Sequence, residues 1–142
     1  MVAAVVIALD QLTKAWALAA LDDGPIDIID GFVRFAVTFN TGAAFSIFTK
    51  NGPLLGVIAI GIVVMIVVVL RDASRRLEAV ALGLVLGGAV GNLVDRVFRG
   101  DGLLDGGVVD WIDFSFFPTF NVADSAITIG VALLLLAAFV HR

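Results

Sequence analysis

Four apolar runs, parted by two long polar stretches and one short basic one, set the pattern of the chain. The first covers roughly residues 2–20 and is interrupted by Asp10 and Lys14. The second, residues 53–70, carries no charge over eighteen positions, about the minimum for crossing a bilayer core of ~30 Å. The third, roughly 79–98, turns polar at its end through Asn92, Asp95 and Arg96. The fourth, roughly 124–140, follows Asp124 without a further charge. Each is expected to form a membrane-spanning helix. The polar stretches are not plain loops. Residues 26–29 and 32–39 are β-branched, aromatic and partly alternating, with Asp30-Gly31 between them, which reads as a hairpin. Val108-Val109 and Trp111-Ile112 add a short strand. The expected fold is a membrane all-α bundle of four transmembrane helices. A small β-sheet, from about 26–49 and 108–114, lies on the outer membrane face. One membrane-embedded domain over residues 1–142 is the simplest division.

Composition removes whole classes of chemistry. The chain is 61% hydrophobic, against about 45–50% for an ordinary soluble domain. It has no Cys, which excludes disulfides, thiolate catalysis and Cys-ligated metals. Its single His, His141, is the penultimate residue, so a Ser-His-Asp triad or a His-based zinc site has almost no material. A net charge of -4 gives no basic footprint for nucleic acid. Charge placement predicts topology. Arg71, Arg75 and Arg76 crowd the short link between the second and third helices, and Arg142 follows the fourth. Asp22, Asp23, Asp27 and Asp30 fill one long connection, and Asp101 and Asp105 the other. Lys and Arg in short loops favour the cytoplasmic side. Both termini are therefore expected inside and segments 21–52 and 99–119 outside. Ala17-Leu18-Ala19 has the look of a signal-peptide cleavage site, but nothing basic precedes the run and Asp10 lies within it, so a spanning helix is the expectation.

Several polar groups sit where a bilayer makes them costly. Asp10 and Lys14 have the i, i+4 spacing with the acid first, suited to an ion pair or to reaching other helices. Gly83, Gly87 and Gly91 form a ladder that lets helices approach closely. Gly88, Asn92 and Arg96 form a neighbouring row. Asn40-Thr41-Gly42-Ala43-Ala44-Phe45-Ser46 reads as a tight turn in which Asn40 is free to bond a peptide backbone. Asn121 suits a helix N-cap, with Asp124 in the first turn. Capping does not account for Asp110, fourteen residues earlier, which also stands at a membrane boundary. Two carboxylates held close cannot both ionise easily, so one keeps a proton. The ionised member then activates water while the protonated one supports the oxyanion and helps the amine leave. Asp95 is a third candidate, with adjacent Arg96 offering a structural ion pair.

Five blocks carry a resemblance that runs almost end to end: Asp10-Gln11-Leu12-Thr13-Lys14, the Asn40–Ser46 run, Gly87 to Arg96, Val108-Val109-Asp110, and Phe120-Asn121-Val122-Ala123-Asp124-Ser125-Ala126. In this order and on four helices, the chain resembles the lipoprotein signal peptidase, or type II signal peptidase, family. The resemblance implies an aspartic endopeptidase of the bacterial cytoplasmic membrane. It would remove signal peptides from diacylglyceryl-modified prolipoproteins at the outer face, cutting before the lipidated Cys. It implies Asp110 and Asp124 as the catalytic dyad, supported by Asp10, Lys14, Asn40, Gly42, Gly88, Asn92, Asp95, Arg96, Asn121 and Ala123. Asp95 is structural in this reading. No metal or organic cofactor is expected. The expected partners are prolipoproteins and membrane lipids, with the chain acting as a monomer. Against the family pattern, the link at 99–107 is long, the link from Asp110 to Asp124 is short, and Trp111 stands where Phe is usual. Two rivals remain from the residues alone: a small proton-coupled transporter relaying protons through membrane carboxylates, and a non-enzymatic assembly protein built on the glycine ladder.

Overall fold

The computed structural model describes residues 1–42, 52–73 and 75–140. It contains α1 (Val2–Ala20), β1 (Ile26–Ile29), β2 (Val33–Asn40), α2 (Gly52–Arg71), α3 (Arg76–Phe98), β3 (Val108–Phe114), β4 (Phe117–Phe120) and α4 (Val122–Val140). All four helices are long and apolar enough to cross a membrane. Their outward faces keep large apolar side chains exposed, among them Leu12 on α1, Val57 and Met65 on α2, and Leu135 on α4. In lipid such faces need no protein cover. The third helix starts three residues before the expected 79, because Arg76, Leu77 and Glu78 continue its first turn. The fourth starts two residues before 124, directly after Asn121.

The centre of the bundle is α3, which packs against α1, α2 and α4. Glycine makes this possible on two faces. A Cβ on Gly83 or Gly87 would run into Val2 or Val6 of α1, and one on Gly91 into the Asp10 side chain. The ladder thus admits both a helix backbone and a charged side chain. On the other face, a Cβ on Gly88 would strike the Ala123 carbonyl of α4, and Gly130 of α4 meets Ala81 and Val85 in return.

The strands form one antiparallel sheet in the order β1-β2-β3-β4. The hairpin between β1 and β2 turns at Asp30-Gly31, where Gly31 adopts φ +71°, a conformation that suits glycine. The sheet extends past the expected 114, because Phe117–Phe120 adds an edge strand. Pro118 hid that strand from the pattern, and an edge is where a strand tolerates the missing N–H. The β region expected up to residue 49 ends at Asn40 within the described residues, and 43–49 lie outside them. Sheet and helices meet where Trp111 packs on Ala17 and Leu21, flanked by Phe35, Val37, Ile112 and Val122. Trp16, Phe35 and Trp111 make mutual edge-to-face contacts at 5.1–5.7 Å between ring centroids. The buried Trp111 Nε1 has no hydrogen-bond partner among the described residues. In the long link before β3, Leu104 adopts φ 62° and buries its side chain against Gly56 of α2.

Candidate active site

The site is built on a fully buried ion cluster. Asp10 and Lys14 lie one turn apart on α1, and both have 0% side-chain exposure. Lys14 Nζ is 2.8 Å from Asp10 Oδ2, 2.7 Å from Asp95 Oδ2 and donates to Asn92 Oδ1 at 2.9 Å. The pair therefore neutralises itself and reaches across to α3. Asp95 takes a second cation from Arg99, whose Nε donates at 2.9 Å. The expected Asp95–Arg96 ion pair does not form. Successive helix positions point about 100° apart, so Arg96 turns to the Asn92 and Gly42 carbonyls instead. Arg99, at i+4, takes the place expected of Arg96.

Above this cluster stand Asp110 and Asp124. Asp110 sits in β3, opposite Thr38 of β2, and is 3% exposed. Asp124 is in the first turn of α4. Asn121 connects them. Its side-chain Oδ1 accepts from the Asp124 N–H at 2.9 Å, while its own N–H donates to Asp124 Oδ2 at 3.2 Å, a reciprocal capping arrangement. Its Nδ2 donates to Asp110 Oδ1 at 2.7 Å and also faces the Val109 carbonyl and Asn92 Oδ1. Asn92 in turn donates to Asp124 Oδ1 at 2.8 Å. Burial, and next the nearby Asp124 carboxylate, push Asp110 up to about 7, against the pull of hydrogen bonds from Asn40 and Asn121.

The remaining expected residues close the rim. Asn40 Oδ1 accepts from the Gly42 N–H at 3.0 Å, which folds the chain tightly at the end of β2. Arg96 holds the Gly42 carbonyl at 3.2 Å. Gly88 makes room for the carbonyl of Ala123, which is itself fully buried. Ala43, Ala44, Phe45 and Ser46 of the same block lie outside the described residues. Every residue expected at the site thus enters one connected network. Two members were not expected there. Gln11 donates to Asp10, Asp95 and the Gly91 carbonyl, and its place inside the Asp10–Lys14 block was the available signal. Arg99 was legible only as an i+4 partner of Asp95. Among the described residues, no three His, Cys, Asp or Glu side chains are grouped to hold a metal ion.

A family model described as "Signal peptidase (SPase) II" matches residues 2–140. The lipoprotein signal peptidase of Rhodococcus jostii is 44% identical over 140 residues, covering 98% of this chain and 71% of the relative. That of Mycobacterium avium is 46% identical over 134 residues, covering 94% and 74%. Two solved structures of a bacterial membrane enzyme superpose with TM-scores of 0.85 and 0.81 at 32% and 33% identity. They cover 97% and 96% of this chain, and 85% and 89% of their own.

Proposed function

This chain belongs to the signal peptidase II family, and on that premise we propose that it is a membrane-embedded aspartic endopeptidase acting on diacylglyceryl-modified bacterial prolipoproteins. It removes the signal peptide by cutting just before the lipidated Cys. Asp110 and Asp124 form the dyad, in one membrane-embedded peptidase domain. The observation that carries the reading is Asn121, which hydrogen-bonds both carboxylates at once. Its main-chain N–H meets Asp124 and its side-chain amide meets Asp110, so one residue joins two acids from different elements, which exceeds what a helix cap alone needs.

The chemistry follows from the charge states. With Asp110 pushed up to about 7, the pair shares one proton near neutrality, and the reacting state is the one in which Asp110 holds it. Asp124, aligned by the Asn92 amide and the Asn121 N–H, takes a proton from water. The hydroxide equivalent adds to the scissile carbonyl carbon. Asp110 stabilises the developing oxyanion with its proton. When the C–N bond breaks, the proton held by Asp124 passes to the leaving amine. The new carboxyl group stays with the signal peptide and the new amine with the lipidated Cys.

Orientation follows from charge. Arg71 closes α2, Arg75 lies in the link and Arg76 opens α3, at the end of α3 opposite Asn92 and Asp95. The basic link faces the cytoplasm with both termini, and the dyad faces outward. The lipid chains of the substrate remain in the bilayer beside the helices. The outer sheet clamps the extended peptide. The deciding experiment is a gel-shift cleavage assay on a diacylglyceryl-modified prolipoprotein in detergent, with wild type and Asp124→Asn in parallel. Loss of the signal peptide with wild type alone supports the assignment. Cleavage by a folded Asp124→Asn protein sinks it.

A further inference from the structure

Two buried carboxylates beneath the candidate dyad grip it in the same way. Asp10 Oδ1 accepts from the N–H of Ala123 at 3.0 Å, and Ala123 immediately precedes Asp124. Asp95 Oδ2 accepts from the N–H of Val109 at 3.1 Å, and Val109 immediately precedes Asp110. Lys14 ties the two gripping carboxylates together at 2.8 and 2.7 Å. Gln11 Nε2 lies 3.2 Å from both of them and bonds the Gly91 carbonyl at 3.1 Å. An ion cluster that merely fastened α1 to α3 would have no reason to hold the main chain next to each member of the pair.

We propose that Asp10, Lys14 and Asp95 form a yoke, braced by Gln11, that fixes the separation of Asp110 and Asp124. The inference rests on the aspartic-dyad reading above. The two acids belong to β3 and α4, and the chain between them passes through an irregular register between Ile112 and Phe114. That hairpin does not by itself set their distance. A main-chain N–H is rigidly tied to its own Cα, one peptide unit from the next residue, so anchoring Val109 and Ala123 also anchors Asp110 and Asp124. Paired charges in a dry interior resist displacement far more than exposed ones do. Asp10, Lys14, Asp95 and Gln11 are positioning residues, which act through the dyad and touch no substrate.

Separation has a signature that plain destabilisation lacks. Two close carboxyls titrate in two steps, and the gap between the steps grows with their coupling. The charged groups around the pair are Asp10 and Lys14 from α1 and Asp95 and Arg96 from α3, with Arg99 on Asp95. β2 contributes the uncharged Asn40. Removing the Lys14 charge alone would move both limbs of a bell-shaped pH–rate profile in one direction. Letting the acids drift apart brings the limbs towards each other. The test is kcat/KM against pH for the full chain in detergent, on a diacylglyceryl-modified prolipoprotein, with wild type, Lys14→Met and Gln11→Leu. The expected result is a wild-type bell, a Lys14→Met bell narrowed by about one pH unit, and a smaller narrowing in Gln11→Leu. Gln11 is uncharged and half-buried, so its variant decides the matter if Lys14→Met does not fold. Unchanged width in folded Gln11→Leu, and in Lys14→Met where it folds, overturns the yoke and leaves the dyad intact. Absence of cleavage by wild type overturns the dyad reading itself.

Discussion

Asp110 is a carboxyl group that its surroundings make reluctant to ionise, and this has consequences for both stability and rate. An aspartate in an unfolded chain titrates near ~3.9, whereas the folded environment of Asp110 pushes it up to about 7. Below about pH 4 it is protonated in both states and costs nothing. As pH rises from there to about 7 the unfolded chain releases its proton first, so stability is lost across that window and stays lost above it. Asp110→Asn, neutral throughout, is therefore expected to melt higher than wild type above about pH 7, with the gain vanishing near pH 4. Thermal melts in detergent at several pH values check this. The same substitution and Asp124→Asn are each expected to abolish prolipoprotein cleavage, by at least roughly 10³-fold, while circular dichroism stays that of wild type. A stabilised but inactive Asp110→Asn would separate a functional carboxyl from a structural one.

Helix packing depends on where glycine lies against a backbone. Gly88 faces the Ala123 carbonyl of α4, whereas Gly61 of α2 has nothing near it. Gly88→Ala is expected to push α4 away from α3 and cost about 1–3 kcal/mol, a typical overpacking penalty. Because α4 carries Asp124, activity should fall along with melting temperature. Gly61→Ala is expected to leave both unchanged. Melting curves and turnover of the two variants give the comparison. The junction of sheet and α1 offers the opposite case. Trp111 buries an Nε1–H that finds no acceptor among the described residues. Trp111→Phe keeps an aromatic ring against Trp16 and Phe35 and removes the orphaned donor. It is expected to be neutral or stabilising by up to ~1 kcal/mol, since an unpaired buried donor carries its desolvation cost with no bond in return.

Across the whole molecule, the basic link and the proposed dyad lie at opposite ends of α3, which spans 23 residues, a rise of roughly 34 Å. That length matches a bilayer, so orientation is testable from either side. The chain has no Cys, and single cysteines report cleanly. In cells stripped of their outer barrier, Asp23→Cys is expected to react with an impermeant maleimide, and Asp72→Cys only after lysis. The reverse pattern would place the dyad on the wrong side for exported substrates. A proton-relay transporter would string carboxylates through the membrane depth. In this chain Asp10, Asp95, Asp110 and Asp124 gather around a single cluster instead.

The pattern of the chain by itself determined four spans, a hairpin at Asp30-Gly31 and the residue types at the site. Bilayer thickness fixes the length of an apolar run, and a buried charge without a partner is too costly to keep without cause. The same economy singled out Asp10 with Lys14 and the polar end of the third helix, while their grouping with Asn121 at one site came from the family resemblance. Which charge meets which was not legible. Asp95 pairs with Lys14 and Arg99 rather than with adjacent Arg96, because helix rotation and the arrival of α1 decide the neighbours, and neither appears in local spacing. The edge strand at Phe117–Phe120 stayed hidden because Pro118 argues against a strand until the sheet provides an edge for it. Nor did the spacing of Asp110 and Asp124 say that Asn121 would bond both of them. Only the return of the chain through β4 into α4 brings those groups together, since contacts between distant segments arise from the packing of whole elements.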